Sequence, residues 1–137
     1  MNRPVAWLAS LLALLLPVAA FAQQGLEIDI VGGNAAALPI AVVPMPYQGS
    51  GTAPETDIAQ VVSADLARSG QFRPLPDKDI IEKPTKGGEI NYPTWRALNQ
   101  DFIVVGRVLD AGAGRYRLEY ELFYVAKQQR LLGIGLA

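Results

Sequence analysis

The sequence of 137 residues contains no cysteine and no histidine. Without cysteine, the protein has no disulfides to stabilise it and no thiol to which a lipid could be attached. Without histidine, it lacks the commonest general base and the commonest zinc ligand in proteins. Catalytic sites built on a histidine or a cysteine are therefore excluded.

A surplus of charge of one sign is lacking too. Twelve basic residues nearly balance thirteen acidic ones, which gives a formal net charge of -1. Nucleic acids and anionic membrane surfaces bind proteins that carry a clustered basic face, so the sequence predicts neither as a partner. The sequence also has no internal repeat, and it therefore encodes no propeller blades or solenoid of its own.

Residues 1–22 have the parts of a secretory signal peptide. Arg3 provides the positive charge, and residues 5–16 form an almost unbroken apolar run. An A-x-A cleavage site follows at Ala20 and Ala22. The apolar run is shorter than the roughly 20 residues of a membrane-spanning helix, which favours cleavage over a retained anchor. We therefore predict Sec-type export into the periplasm of a Gram-negative bacterium.

A short strand is predicted soon after the cleavage site. Leu26, Ile28 and Ile30 alternate with acidic residues, which indicates a strand with one apolar face. A connector rich in glycine and alanine follows it, so residues 23–37 form a strand tethered at the chain end. Such a strand can pack on its own domain, or it can detach and pair with the sheet edge of another protein.

Residues 38–137 carry the patterns of both strands and helices. The predicted elements are strands at 40–43, 72–75, 102–108, 116–124 and from 130 onward, and helices at 53–69 and 92–98. Elements in this order allow both parallel crossovers and hairpins. The sequence therefore predicts an α/β domain with a mixed sheet covered by helices.

The first predicted helix has start and stop signals of its own. Thr52 and Glu55 match a capping box, and Gly70 is a typical C-terminal stop. Its apolar stripe is predicted to consist of Ile58, Val61, Val62 and Leu66.

Three groups of residues are candidate ligand sites, and each has a simpler interpretation. The loop 49–52 precedes a helix, as phosphate-binding loops do, but it lacks the lysine of a P-loop. Asp77, Asp79 and Glu82 could bind calcium, but the spacing of an EF-hand is missing and a solvated face is favoured. Trp95 and the tyrosines of the strand 116–124 are expected to pack in the core and across strands, not to form a platform for a sugar or a base. We find no catalytic constellation and predict no cofactor and no metal.

Several blocks of the mature sequence also occur in a distinctive order. They are residues 38–45, 53–55, 61–66, 69–75, 95–98 and 101–108. These blocks, behind a signal peptide, resemble the N-terminal domain of the TolB family. The resemblance implies a three-layer α/β domain like the anticodon-binding fold, without catalysis. It also implies a periplasmic adaptor of the Tol-Pal system, whose segment after the signal peptide binds the C-terminal domain of TolA.

Carried onto this sequence, the TolA-binding segment is residues 23–34, with Leu26, Ile28 and Ile30 as anchoring side chains. Its members are Gln23, Gln24, Gly25, Leu26, Glu27, Ile28, Asp29, Ile30, Val31, Gly32, Gly33 and Asn34. In the family, a β-propeller follows the domain and binds the lipoprotein Pal. The sequence has neither that propeller nor the helix expected after the last strand, so we expect no Pal binding and a partly uncovered sheet.

The resemblance further implies a role in outer-membrane invagination during cell division and in envelope integrity, and a system that some colicins and phages exploit for import. Two alternatives stay open. The chain could be the interaction domain of another exported propeller protein or hydrolase, which a downstream G-x-S-x-G elbow would indicate. It could also be a free-standing ligand-binding domain that uses the loop 49–52, which a phosphate-induced rise in melting temperature would indicate.

Overall fold

The computed structural model describes residues 36–136. The predicted cleavage residues Ala20 and Ala22 and the predicted TolA-binding segment, 23–34, lie outside the described residues. The strands are β1 (Leu38–Val42), β2 (Tyr47–Gln48), β3 (Phe72–Pro74), β4 (Phe102–Gly112), β5 (Arg115–Tyr124) and β6 (Gln129–Leu136). The helices are α1 (Ile58–Arg68) and α2 (Tyr92–Ala97), with short 3-10 turns at Asp77–Asp79 and Gly87–Glu89.

The strands form one mixed sheet in the order β3-β1-β4-β5-β6. β1 is parallel to both β3 and β4, whereas β4, β5 and β6 are joined as antiparallel hairpins. β2 continues along the same side of β4, opposite Val108 and Leu109. The two prolines at 44 and 46 separate β1 from β2, because proline cannot donate to a ladder.

Helices cover both faces of the sheet and bury a core on each. On one face, Ile40, Val42 and Val104 pack with Ala59 of α1. On the other face, Ala41, Ile103 and Val105 pack around the fully buried Trp95 of α2. Alternate residues of β1 and β4 thus enter opposite cores, which explains their continuous apolar runs. The predicted three-layer α/β fold with a mixed sheet is confirmed.

The start of the first helix was predicted incorrectly. α1 begins at Ile58, not at residue 53, and Asp57 is its N-cap. The Asp57 carboxylate accepts a hydrogen bond from the Gln60 backbone N–H at 3.2 Å, so the predicted capping box at Thr52 and Glu55 does not cap this helix. Pro54 disfavours a helical conformation for Ala53, the residue at which the helix was predicted to begin. The predicted stop is correct, since Gly70 has a φ of 73°.

The apolar stripe of α1 also needs correction. Val61 is 45% exposed, and the one buried residue of the helix is Ala59. Val62 and Leu66 pack against the core as predicted. The small side chain of Ala59 lets the helix backbone approach the sheet, which hydrophobicity patterns do not predict.

Candidate functional site

The predicted TolA-binding segment, residues 23–34, precedes β1 in the chain. β1 itself is an interior strand of the sheet. β1 pairs with β3 on one side and with β4 on the other. The Leu38 backbone N–H also donates to the Gln71 carbonyl oxygen at 2.8 Å. Because β1 has strand neighbours on both sides, no further strand can pair directly with it within the described sheet.

The loop 49–52 is held by two tyrosines. The Gly51 backbone N–H donates to the Tyr47 hydroxyl at 3.2 Å, and the Tyr116 hydroxyl donates to the Thr52 carbonyl oxygen at 2.7 Å. The two rings meet edge to face, with centroids 5.9 Å apart. Burial raises the pKa of the Tyr47 hydroxyl above its ordinary value of 10.0. The loop therefore packs on strands β2 and β5.

The loop 49–52 was expected to lead directly into α1, but the structure separates the two. α1 begins six residues after Thr52, so its free N–H groups do not extend the loop. A groove of about 450 Å³ lies in this region, lined by apolar residues such as Met45 and Pro54 and by Asp57 and Lys83. The arrangement is not that of a phosphate-binding loop, which needs loop N–H groups and a helix N-terminus at one place.

Two of the three acidic candidates, Asp77 and Glu82, contact neighbouring elements. The Asp77 carboxylate accepts a hydrogen bond from the Gln60 amide of α1. Glu82 accepts from the Thr94 hydroxyl at 2.8 Å and from the Asn91 amide at 3.2 Å, both at the start of α2. Within the described residues, no group of three acidic, histidine or cysteine side chains could hold a metal ion. These carboxylates attach the connecting segment to the two helices.

The aromatic residues pack in the core or across strands, although Tyr116 of β5 is 37% exposed. Trp95 is fully buried in the core under α2. Tyr124 lies directly opposite Phe102 in the sheet, and their ring centroids are 5.5 Å apart. These rings are packing residues of the fold and do not form an exposed stacking platform.

A cluster of arginines and glutamates on β4, β5 and β6 was not predicted from the sequence. Arg107 Nη2 lies 2.7 Å from Glu119 Oε2, and Arg117 Nε lies 3.1 Å from Glu119 Oε1. Arg130 Nη1 lies 3.4 Å from Glu121 Oε2. Hydrogen bonds from Arg107 and Arg117 hold the pKa of the Glu119 carboxyl below its ordinary value of 4.5.

One signal in the sequence could have revealed this cluster. Arg107 interrupts the apolar run of β4, and a charged residue in a buried strand needs a partner. The polar side of β5, with Glu119 two residues after Arg117, supplies that partner. We call the three side chains of Arg107, Arg117 and Arg130 the arginine cluster.

Among residues 36–136, no helix has the length and hydropathy needed to cross a bilayer.

Comparison with known proteins places the chain in a family. Residues 26–131 match the model of the TolB amino-terminal domain. The Tol-Pal system protein TolB of Xanthomonas campestris pv. campestris is 68% identical over 99% of this chain, and the chain spans 31% of that protein's length. TolB of Xanthomonas oryzae pv. oryzae is 65% identical over the same shares.

Solved structures agree with the observed fold. The crystal structure of TolB from Acinetobacter baumannii matches with a TM-score of 0.59 at 27% identity, covering 74% of this chain and 23% of that one. The LpoB C-terminal domain from Salmonella enterica matches with a TM-score of 0.61 at 10% identity, covering 76% and 84%, and shows a shared fold alone. Since the family model matches most of its length, the chain belongs to the TolB amino-terminal domain family.

Proposed function

We propose that this chain is a non-catalytic periplasmic adaptor of the Tol-Pal system that binds the C-terminal domain of TolA through residues 23–34. The observation that carries the proposal is the 68% identity, over 99% of the chain, to proteins named for that system. In this role the protein supports outer-membrane invagination during cell division and the integrity of the envelope. The absence of histidine and cysteine from the sequence supports a role without catalysis.

The pattern of the proposed binding segment suits strand pairing. Leu26, Ile28 and Ile30 alternate with Glu27 and Asp29, so one side of an extended strand is apolar and the other is acidic. Backbone hydrogen bonds to a partner's sheet edge supply affinity in this mode, and alternate side chains supply specificity.

A titration with the TolA C-terminal domain tests the proposal. The chain from Gln23 onward should bind and release or absorb heat in a calorimeter, whereas a chain that begins at Leu38 should not. The shorter chain is a fair control because it retains every described strand and helix. Circular dichroism of both proteins checks that they are folded. Binding by both chains would overturn the assignment of the segment.

A matched pair of substitutions locates the anchoring side. Ile28→Asp places a charge on the apolar side of the strand and should abolish binding. Glu27→Gln changes the opposite side at the neighbouring position and should leave most of the affinity. If a folded Ile28→Asp variant binds TolA as the parent does, the proposed anchoring face is wrong.

A further inference from the structure

Beyond the core under α2, one face of the sheet becomes polar. Ile103 and Val105 of β4 pack in that core, and the next side chain on the same face is that of Arg107. On the neighbouring strand β5, Glu121 lies opposite Val105 and Glu119 lies opposite Arg107. We call the surface formed by the arginine cluster, Glu119 and Glu121 the charged face.

The charged face is on the opposite side of the sheet from the apolar side chains of β6. Gly133 and Gly135 lie opposite Glu121 and Glu119, so these two glycines belong to the charged face. Leu132 and Leu136 alternate with the glycines and point to the other side. A helix packed on those leucines would therefore lie on the other side of the sheet and leave the charged face uncovered.

A pocket of about 230 Å³ on the charged face is more positive than the rest of the domain. Its charged lining residues are Lys86, Arg107, Arg117 and Arg130, against Glu119 and Glu121. Residues 36–136 as a whole contain eleven basic and eleven acidic residues. Glu89 lies 3.9 Å from Lys86 Nζ but does not line the pocket. Positive charge is thus concentrated at this place.

Two of the arginines have donors left over. The Glu119 carboxylate accepts hydrogen bonds from Nε and Nη2 of Arg107 and from Nε of Arg117. Within residues 36–136, Arg117 donates no hydrogen bond from Nη1 or Nη2. The contact from Arg130 Nη1 to Glu121 Oε2 is long at 3.4 Å. An oxyanion can therefore accept from both guanidinium groups without displacing the hydrogen bonds to Glu119.

The two glycines of β6 make room for these groups. A Cβ added at Gly135 would lie 2.5 Å from Arg117 Nη2, and one added at Gly133 would lie 3.5 Å from Arg130 Nη1. The guanidinium groups therefore lie close against the backbone of β6. A water molecule takes about 30 Å³ in the liquid, so the pocket has the volume for a phosphate group and several waters.

The segment that carries Lys86 is fixed against the sheet. The Gly87 backbone N–H donates to Glu121 Oε1 at 3.1 Å. A Cβ added at Gly87 would collide with the ring of Phe123, so the backbone here lies directly on β5. The segment thereby places the Lys86 ammonium in the lining of the same pocket as the arginines.

We propose that this pocket binds a phosphate group, free or as a monoester, between the guanidinium groups of Arg117 and Arg130 and the ammonium of Lys86. The planar N–H groups of a guanidinium match the spacing of phosphate oxygens, and each such hydrogen bond is strengthened by charge. The pocket is separate from residues 23–34, and the proposal does not depend on TolA binding.

The two carboxylates in the lining favour phosphate over sulfate. Near neutral pH, hydrogen phosphate still carries a proton, which it can donate to a carboxylate oxygen such as Glu121 Oε2. Sulfate has no proton to donate, so its oxygens would only be repelled by the same carboxylate. The difference of one hydrogen bond to a charged group predicts at least about tenfold weaker binding of sulfate.

Nuclear magnetic resonance titration of the full chain tests the proposal. Sodium phosphate, added at an ionic strength held constant with sodium chloride, should shift the amide signals of Gly87, Gly133 and Gly135 in a saturable way. Sodium sulfate should shift them with at least about tenfold lower affinity. Glycerol 3-phosphate distinguishes the source of the group. Tighter binding than inorganic phosphate would assign the pocket to a monoester, and equal or weaker binding would assign it to free phosphate.

Substitutions in the protein complete the test. Arg117→Gln combined with Arg130→Gln should weaken phosphate binding about tenfold or more. Arg68→Gln combined with Arg73→Gln removes the same charge from α1 and β3 and should leave the affinity unchanged. Circular dichroism checks the fold of each variant. Lys86→Gln alters an exposed side chain on the other wall and should also weaken binding, which keeps the test valid if the arginine variant does not fold.

Three outcomes would overturn the proposal. The first is the absence of a saturable shift with phosphate, and the second is equal affinity for sulfate. The third is an equal loss of affinity in the pocket variant and in the variant of Arg68 and Arg73, because that result would show a general effect of charge and no defined site.

Discussion

β1 and β6 are both apolar strands of the same sheet, but their surroundings differ. β1 lies between β3 and β4 with a core on each face, and its Ala41 is fully buried. β6 lies at an edge, and seven of its eight residues are exposed. We call β1, β3 and β4 with both helices the covered half, and β6 with the facing residues of β5 the open half. Apolar composition alone therefore does not distinguish a buried strand of the core from an exposed strand at an edge.

A pair of equivalent truncations should separate the two halves most clearly. Ile103→Ala removes three carbons from a fully buried position in the core under α2. The free energy of unfolding should fall by about 2–5 kcal/mol, because a cavity remains where the side chain packed. Leu132→Ala in the open half should cost less than about 1 kcal/mol, since the parent side chain is largely in solvent. Urea denaturation of both variants gives the two values.

Comparable losses for Ile103→Ala and Leu132→Ala would contradict the division. That result would show that Leu132 is buried in solution, and the open half would then be part of the hydrophobic core.

Gly106 of β4 lies against β5, where the covered half meets the open half. Substitution by a residue with a side chain should destabilise the protein. A Cβ added at Gly106 would lie 2.6 Å from the Glu119 carbonyl oxygen of β5 and 3.1 Å from the Met45 sulfur. Gly106→Ala should therefore destabilise the protein by about 1–3 kcal/mol, because backbone atoms of β5 must move. Gly88→Ala is the matched control, since a Cβ there would meet no atom within 4 Å. Urea denaturation should show a much smaller change for the control.

The sequence predicted which strands and helices form the covered half better than it predicted the residues at which they begin. The apolar runs of β1 and β4 were sufficient to place these strands, because a continuous apolar run reports burial on both faces directly. The start of α1 was wrong because Asp57 and Thr52 are both good caps, and the choice depends on where the chain leaves β2. β2 itself was missed, since its two residues are too few to show a period.

The unpredicted features of the surface have a common cause. The arginine cluster depends on the register of three strands, which brings Arg107, Arg117 and Arg130 together across the sheet. Alternation along one strand predicts which face a residue occupies, but it does not predict the residue opposite. The exposure of Leu132 depends on tertiary packing, which the hydrophobicity of β6 alone does not report.

The helix that covers one face of the sheet should depend on its true cap. Asp57→Ala removes the carboxylate that accepts the Gln60 backbone N–H, and it should lower the free energy of unfolding by about 1 kcal/mol. Thr52→Ala alters the residue that the sequence indicated as the cap and should have little effect. Thermal denaturation of both variants measures the difference. A larger loss for Thr52→Ala than for Asp57→Ala would contradict the structural assignment.

The smallest effect is expected at the boundary between the halves, in the acid stability of the protein. Hydrogen bonds from Arg107 and Arg117 lower the folded-state pKa of Glu119 below its ordinary value of 4.5. A carboxyl with a lowered pKa contributes stability that is fully present above its unfolded-state pKa. That contribution is lost as the pH falls through the lower folded-state pKa. Glu119→Gln removes the titrating group, so the decline of stability below about pH 4.5 should become shallower.

Urea midpoints of the parent and of Glu119→Gln, measured from pH 7 down to the acid limit of folding, give this slope. Arg107→Gln removes the largest cause of the shift and should flatten the same part of the curve. The ion pair is partly exposed, so the change should be small compared with that of Ile103→Ala. An unchanged acid slope in both variants would show that solvent screens this contact, and the arginine cluster would then contribute charge to the open edge without stabilising the covered half.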